Sequence, residues 1–375
     1  MKNKKILILH SSNDLYGASK IFLQITHLLN SKGYQVHVVL PSKGPLENFI
    51  NNDVFISYFN LGVFRKKYLN FFGIINRLVR IYKAIFFLKS YIISNKIDLV
   101  YTNTSVIWAS GFVSKFLKTP SVYHIHEIPF GSLIYKQISR FVLNLISDSV
   151  ICVSNAVLIY WKKNINKSKL IRIYNGILRP KVLEKNLCNK KIILTNVSRI
   201  TPYKGHKYLI EIFKELVLFE SKFELLIVGD FTKENEKYFK ELKVLVSNYK
   251  LENKIQFLGF KNNINEILIK SNFFIHSAVN PDPLPTVLFE SLYSNTPSIS
   301  TNLGGSPEIL DYGNNGLLIP HNCKFKSAKL IYDYSKNFKK QKLHLKNAKL
   351  FLKNNFGQIK FEKNILETIK KIMNE

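Results

Sequence analysis

The segment from His276 to Leu310, HSAVNPDPLPTVLFESLYSNTPSISTNLGGSPEIL, contains the pattern that decides the fold. The apolar run Phe273–Ala278 predicts a strand, which leads into a proline-rich loop and then into a helical pattern. A second apolar run, Ser298–Asn302, follows that helix, and a Gly-Gly pair then precedes another helix. Strands that alternate with helices in this way predict a parallel sheet covered by helices.

Two acids in this segment suit a ligand that carries both phosphate and hydroxyl groups. Asp282 lies in the loop, and Glu290 follows after seven residues, inside a helix that begins at Pro285. The amino end of such a helix binds phosphate through its N–H groups and its dipole. Carboxylates accept hydrogen bonds from sugar hydroxyls. The alternative is a solvated surface pair, but Glu290 has apolar neighbours and no basic residue four positions later.

The same alternation of strand and helix runs through the whole chain. Further strands are predicted at residues 4–9, 35–40, 54–59, 99–103, 121–126, 149–154, 170–174, 192–197, 223–229, 254–259 and 316–320. A chain of 375 residues exceeds what one hydrophobic core usually covers. We therefore predict an α/β fold with two doubly wound domains, residues 1–178 and 191–355, joined by a polar linker at 179–190.

Two loops that follow predicted strands carry residues suited to a diphosphate. Gly17 and Ala18 lie between the first strand and the first helix, where a glycine lets the backbone approach a ligand closely. Ser198 begins a second loop, in which Arg199 and Lys204 are five residues apart and can bind two phosphates. Without further context, an ordinary turn and two surface cations remain the alternative.

A histidine ends the predicted strand at residues 121–126, which reads SVYHIH. In a doubly wound sheet the carboxyl end of a strand faces the ligand crevice, so His126 is a candidate for the site. His124 shares its side of the strand because side chains alternate, and it is a second candidate. The alternative is a histidine whose ring is satisfied by a neighbouring carbonyl.

The formal net charge of +30 indicates a polyanionic partner, either nucleic acid or the negative surface of a membrane. Residues 1–180 hold 24 Lys and Arg against six Asp and Glu, so the excess is concentrated there. Residues 54–97 contain no acid, and a basic amphipathic helix with many aromatic residues is predicted at Phe71–Ser94. Such a helix suits a membrane interface, although its aromatic residues could instead pack on the sheet. Nucleic-acid binding is disfavoured because no recognition motif accompanies the charge.

Several other classes of protein are disfavoured by the sequence. The three cysteines, at positions 152, 188 and 323, form neither a disulfide framework nor a zinc motif and fit a reducing compartment. No signal peptide or membrane span is predicted, and GxGxxG and P-loop motifs are missing. No Asp-x-Asp pair occurs, so neither a metal nor another cofactor is expected.

The chain resembles the retaining nucleotide-sugar glycosyltransferases of the GT-B fold, in group 1 or family 4. The resemblance rests on Asp282-x7-Glu290, on Asn295-Thr296-Pro297, on Gly304-Gly305-Ser306-Pro307-Glu308 and on Ser198-Arg199-x4-Lys204-Gly205. Tyr16-Gly17-Ala18-Ser19 matches the family's Gly-Gly-Ala-Glu loop in part. The family's first acid is usually Glu, so Asp282 leaves the identity of the donor sugar open.

This resemblance implies two Rossmann-like domains facing across a cleft, with the final helix, residues 356–375, packing back on the first domain. It implies an acceptor site in the first domain and a nucleoside-diphosphate-sugar site in the second. The implied catalytic residues are His126, Arg199, Lys204, Asp282 and Glu290. The implied donor-binding residues are Gly17, Ala18, Ser198, Arg199, Lys204, Gly229, Phe260, Asp282, Pro285, Thr286, Val287 and Glu290.

We therefore expect a hexosyl- or N-acetylhexosaminyl-transferase that retains anomeric configuration. Its expected acceptor is a lipid-linked precursor of a bacterial surface polysaccharide, such as capsule or lipopolysaccharide. Its expected location is the cytoplasmic face of the membrane, as a peripheral protein. Two alternatives stay open: a sugar-nucleotide epimerase of the same fold, and a non-catalytic protein that binds nucleic acid.

Overall fold

The computed structural model describes residues 4–15, 17–65, 68, 70–177 and 191–374, which form two compact units. Unit 1 comprises residues 1–176 and 358–375, and unit 2 comprises residues 177–357. The linker predicted at 179–190 lies outside the described residues, as do Tyr16, Lys66 and Lys67.

Unit 1 is built on seven parallel strands in the order β3-β2-β1-β4-β5-β6-β7. The strands are β1 Lys5–Leu9, β2 Gln35–Leu40, β3 Phe55–Tyr58, β4 Leu99–Thr102, β5 Ser121–Ile125, β6 Ser149–Cys152 and β7 Leu170–Arg172. The helices between them are α1 Gly17–Ser31, α2 Phe71–Asn95, α3 Trp108–Leu117, α4 Leu133–Ile146 and α5 Asn155–Trp161. The order of the strands reverses between β1 and β4.

The sheet of unit 1 is covered on both faces, which explains why its strands read as continuous apolar runs. In β1, Ile6 and Ile8 point into a core shared with α1, whereas Leu7 and Leu9 point into a core shared with α2 and α3. The first of these cores also includes residues of the last helix, such as Phe361. The chain therefore returns to its first unit, as expected.

Unit 2 repeats this architecture with six parallel strands in the order β10-β9-β8-β11-β12-β13. The strands are β8 Ile192–Val197, β9 Phe223–Val228, β10 Ile255–Gly259, β11 Phe273–His276, β12 Ser298–Thr301 and β13 Leu317–Ile319. The helices are α6 His206–Phe219, α7 Glu236–Asn248, α8 Ile264–Ile269, α9 Thr286–Tyr293, α10 Ser306–Ile309, α11 Lys324–Lys336 and α12 Phe338–Phe356, while α13 Gln358–Ile372 belongs to unit 1. The order reverses between β8 and β11, and the predicted fold class of two doubly wound α/β domains is confirmed.

Candidate functional site

In unit 2 a partly buried ion pair lies at the point where the order of the strands reverses. Lys204 is on the loop after β8, and Asp282 is on the loop after β11. The Nζ of Lys204 donates to Oδ2 of Asp282, and the two side chains are 25% and 14% exposed. Doubly wound sheets bind ligands at the carboxyl ends of strands flanking this point, so the pair lies at the position that the fold offers to a ligand.

The two loops meet because their backbones are in direct contact. Val279 N donates to the carbonyl oxygen of Tyr203 at 3.2 Å. Gly205, which ends the short 3-10 helix Pro202–Lys204, has a φ of +75°, and a Cβ there would lie 2.0 Å from the carbonyl oxygen of Ser277. Only glycine allows the two backbones to come this close, and their contact places the side chain of Lys204 beside Asp282.

The Gly-Gly pair before α10 supports the loop of Asp282 from the other side. Gly305 N donates to the carbonyl oxygen of Asp282 at 2.8 Å. A Cβ on Gly304, whose φ is +61°, would lie 2.1 Å from that same oxygen, and a Cβ on Gly305 would lie 2.2 Å from the carbonyl oxygen of Pro283. The pair therefore acts through backbone packing against the loop that carries Asp282.

Asp282 stays ionised although it is enclosed by protein. Burial acts to raise its pKa, but Lys204 and His276 act against burial, and the pKa of Asp282 lies below its usual range. His276 Nε2 is 3.4 Å from Asp282 Oδ2, a close approach without the geometry of a hydrogen bond. Because burial lowers the pKa of His276 to about 4, that ring is neutral at pH 7 and Lys204 is the cation that stabilises the carboxylate.

The other predicted residues of the Lys204 loop have different surroundings. Arg199 is exposed, at the carboxyl end of β8, and its neighbour Ile200 is bonded through its N–H to the carbonyl oxygen of Asp230 at 2.9 Å. The Ser198 hydroxyl is 3.2 Å from Asn196 Oδ1 and 3.1 Å from His206 Nε2. The side chain of Ser198 is therefore engaged within the protein, whereas Arg199 reaches solvent.

Gly229 and Phe260 occupy the neighbouring strand ends. Gly229 N donates to the carbonyl oxygen of Gly259 at 2.9 Å, and a Cβ on Gly229 would lie 2.0 Å from the carbonyl oxygen of Ser198. Phe260 directly follows β10 and is 66% exposed. Gly229 thus lets three strand ends pack together, with an exposed aromatic ring beside them.

Helix α9 places Glu290 and the predicted backbone donors. The helix begins at Thr286, one residue later than predicted, so Pro285 precedes its first turn, and the carbonyl oxygen of Pro285 accepts from Leu288 N at 3.2 Å. Thr286 and Val287 form the first turn and are partly buried. The first N–H groups of a helix have no partner within the helix, so those of Thr286 and Val287 are suited to an anion. Glu290 lies on the same helix, partly buried.

Unit 1 has a polar cluster at the corresponding edge of its own sheet. Asn103 directly follows β4, and its side chain connects the loops after β1 and β5. Its Oδ1 is 2.9 Å from His126 Nε2, and its Nδ2 is 3.2 Å from His10 Nδ1 and 3.1 Å from the carbonyl oxygen of Ala18. The predicted residues Ala18 and His126 are therefore brought together through Asn103. Gly17 begins α1, and a Cβ on it would meet nothing within 4 Å.

His124 and Glu127 flank His126 along the chain. His124 is fully buried, its Nδ1 is 2.9 Å from Tyr101 Oη, and burial lowers its pKa to about 3, so it belongs to the core. The Glu127 carboxylate accepts from the hydroxyl of Thr104 and from the N–H groups of Ser105 and His126 at 3.3 and 3.2 Å. Of the two candidate histidines, only His126 is partly exposed at the strand end, so it is the one that remains a candidate for the site.

Sequence reasoning assigned no role to His10, Asn103 or His276. A usable signal existed for the first two, because each directly follows a buried strand at the reversal point of the sheet. His276 is the last residue of β11, and only its contact with Asp282 marks it.

Among the described residues, no three His, Cys, Asp or Glu side chains lie close enough to hold a metal ion. No helix in the described ranges is both long enough and apolar enough to cross a bilayer.

Comparisons with known proteins address the identity of the chain. Residues 16–177 match the family Glycosyltransferase Family 4, and residues 179–351 match Glycosyl transferases group 1. An uncharacterized glycosyltransferase of Methanocaldococcus jannaschii is 26% identical over 277 residues, covering 70% of this chain and 67% of that protein. N-acetyl-alpha-D-glucosaminyl L-malate synthase of Bacillus anthracis is 28% identical over 135 residues, covering 36% of this chain and 34% of that enzyme.

The fold is also shared with a solved structure. HepE of Anabaena, crystallised in complex with UDP-glucose, aligns with a TM-score of 0.79 and 21% identity over 98% of this chain and 99% of that chain. Because the two family matches together extend over both units and the fold agrees along nearly the whole length, we conclude that the chain is a glycosyltransferase of the GT-B type.

Proposed function

We propose that this protein transfers a hexosyl or N-acetylhexosaminyl group from a nucleoside-diphosphate sugar to a membrane-bound glycan acceptor, with retention of configuration. The observation that carries the proposal is the Lys204–Asp282 pair at the reversal point of the unit 2 sheet. A cation and an ionised carboxylate in contact suit a ligand that joins a diphosphate to a sugar, since the cation binds phosphate and the carboxylate binds hydroxyls.

In this proposal the donor diphosphate contacts Arg199, Lys204 and the N–H groups of Thr286 and Val287. These groups stabilise the negative charge that develops on the departing nucleoside diphosphate. Asp282 accepts hydrogen bonds from hydroxyls of the sugar, Glu290 accepts them from the ribose, and Phe260 lies near the base. The leaving phosphate takes the proton of the acceptor hydroxyl on the face where the new bond forms. UDP-sugars are the first donors to test, because HepE was crystallised with UDP-glucose.

The surface of unit 1 supports an acceptor that resides in an anionic membrane. Helix α3 packs against both α2 and α4, and none of the three helices contains an acidic residue. Exposed apolar side chains cover α2 and α4: Phe71, Phe72, Ile75, Leu78, Val79, Tyr82, Phe86, Ile93, Leu133, Ile134, Ile138, Phe141 and Leu145. Phe72 is 82% exposed and Leu133 is 75% exposed. An apolar surface with basic residues and no acids complements anionic headgroups, so we place the protein peripherally on the cytoplasmic face of the membrane.

The reaction can be tested with purified protein, a panel of nucleoside-diphosphate sugars and a lipid-linked glycan acceptor. A donor that binds the native state raises the melting temperature, and product formation should require the acceptor. Arg199→Ala should lower kcat/KM by about 10²- to 10³-fold, since it removes charge stabilisation of the leaving group. Lys207→Ala is the matched control, because Lys207 is exposed at the start of α6. Unchanged turnover of Arg199→Ala at limiting donor would contradict the assignment.

The same assay separates the two alternatives. An epimerase would convert the donor into a free isomer without any acceptor. A nucleic-acid-binding protein would show binding that falls steeply with salt and would not respond to Glu290→Ala.

A further inference from the structure

The hydrogen bonds around His126 have only one direction in which every donor meets an acceptor. Asn103 Nδ2 lies 3.1 Å from the carbonyl oxygen of Ala18, which can only accept, so this side of the amide is its NH2 group. The amide oxygen then faces His126 Nε2 at 2.9 Å. Because an amide oxygen only accepts, Nε2 of His126 must carry the hydrogen.

The same argument extends to the other end of the cluster. Asn103 Nδ2 also lies 3.2 Å from His10 Nδ1, which must therefore be the unprotonated nitrogen of His10. His10 Nε2 then carries the hydrogen and lies 3.0 Å from Ser19 Oγ. Ser19 donates in turn to Asp14 Oδ1 at 2.7 Å. The hydrogen bonds thus form a continuous chain in which each group donates to the next, from His126 through Asn103, His10 and Ser19 to Asp14.

A second hydrogen on the ring of His10 would conflict with its surroundings. On His10 it would point at the Asn103 NH2 group. Burial lowers the pKa of His10 to about 4, and burial followed by the neighbouring rings of His124 and His10 lowers the pKa of His126 well below its ordinary value. Two charged groups also lie near this cluster. The Glu127 carboxylate accepts a hydrogen bond from the backbone N–H of His126, and the Arg65 guanidinium donates to Ser11 Oγ at 3.1 Å. Both rings are therefore neutral at pH 7.

We infer that Asn103 is a positioning residue that holds His126 as a neutral hydrogen-bond acceptor, with the lone pair of Nδ1 left for a ligand. Within the described residues no hydrogen bond is formed to this Nδ1, and residue His126 is partly exposed. A nitrogen that only accepts recognises a hydroxyl and not a phosphate oxygen. That the hydroxyl belongs to a sugar rests on the proposed function, whereas the tautomer of His126 and the role of Asn103 do not.

The direct test is ¹⁵N NMR of the imidazole nitrogens of the full-length protein, with His126→Gln used to assign the signals. We expect His126 to be neutral from pH 8 to pH 5.5, with its hydrogen on Nε2. A hydrogen on Nδ1, or a doubly protonated ring at pH 7, would overturn the inference whatever the transferase assay gives. The predicted tautomer in a protein that transfers no sugar would instead sustain the inference and refute the proposed function.

The second arm uses Asn103→Asp, in which a carboxylate replaces the amide between the two rings. A carboxylate favours the charged imidazolium, so the pKa of His126 should rise. The variant should therefore lose activity as the pH falls from 8 to 5.5, whereas the native protein should show no histidine step in that range. Asn52→Asp is the control, since it adds the same charge in the exposed turn before β3. An Asn103→Asp protein whose His126 signals and pH profile match the native ones would refute the role of Asn103.

Discussion

Gly304 shows how a residue without a side chain determines where a charged side chain lies. Its φ of +61° is open to glycine at little cost, and a Cβ on it would collide with the backbone of Asp282 at 2.1 Å. The sequence predicted only that a helix follows the Gly-Gly pair, and the structure adds that the pair packs against the loop that carries Asp282. The position of Asp282 therefore depends on the packing of its own loop against the loop that contains Gly304.

Gly304→Ala should lower the melting temperature and disturb the Lys204–Asp282 pair. An L residue at this φ costs about 1–2 kcal/mol, and displacing the Asp282 backbone adds roughly 1–3 kcal/mol. Gly259→Ala is the matched control, because it has a φ of +66° but nothing within 4 Å of its Cβ. Calorimetry of both variants separates the effect of the steric collision from that of the positive φ, which the two positions share. Equal decreases in melting temperature would contradict the role given to Gly304.

Helix α2 agrees with its predicted extent to within one residue. The pattern predicted a helix at Phe71–Ser94, and the structure has it at Phe71–Asn95. The buried positions Ile81, Ala84, Leu88 and Ile92 follow helical spacing, while Phe71 and Phe72 remain exposed. The aromatic residues of α2 are divided, because Phe87 and Tyr91 pack against the core whereas Phe71 and Phe72 are exposed. Helix α4 adds an apolar surface that the sequence analysis did not identify.

Reversing Arg77, Arg80 and Lys83 on α2 to Glu should release the protein from anionic vesicles. Each basic residue near such a surface contributes about 1 kcal/mol, so losing three lowers binding by roughly 100-fold. The matched control reverses Lys339, Lys340 and Lys342, which are exposed on α12 of unit 2. Co-sedimentation with phosphatidylglycerol-containing and neutral vesicles measures the effect, and unchanged binding by the α2 variant would count against the membrane surface.

At the scale of the whole molecule, both units bury neutral histidines. His10 and His124 lie in unit 1, and His206 and His276 lie in unit 2. Burial lowers the pKa to about 4 for His10, His206 and His276, and to about 3 for His124. The unfolded chain takes up protons near pH 6.5, where the folded chain does not, so the free energy of unfolding should fall as the pH drops from about 6.5 toward 4.

Each such histidine contributes a slope of up to about 1.4 kcal/mol per pH unit. We expect the melting transitions of both units to move to lower temperature between pH 6.5 and pH 4.5. Differential scanning calorimetry at one-unit intervals checks this. A melting profile that stays constant over the range would show that these rings take up protons in the folded chain as readily as in the unfolded chain. Asp282 acts differently, because its lowered pKa keeps its contribution until the pH falls below the usual carboxylate range, near 4.

The amino-acid sequence by itself determined the strands, the helices between them and the two doubly wound units. These follow from local causes: a strand buried on both faces of a parallel sheet is a continuous apolar run, such as Lys5–Leu9 or Ile192–Val197, and a helix repeats its apolar residues every turn. Only the tertiary structure decided which strand ends became neighbours. Lys204 meets Asp282 across 78 residues of chain, and Asn103 meets His10 across 93. No local pattern encodes such contacts, because they depend on which strands lie side by side in the sheet.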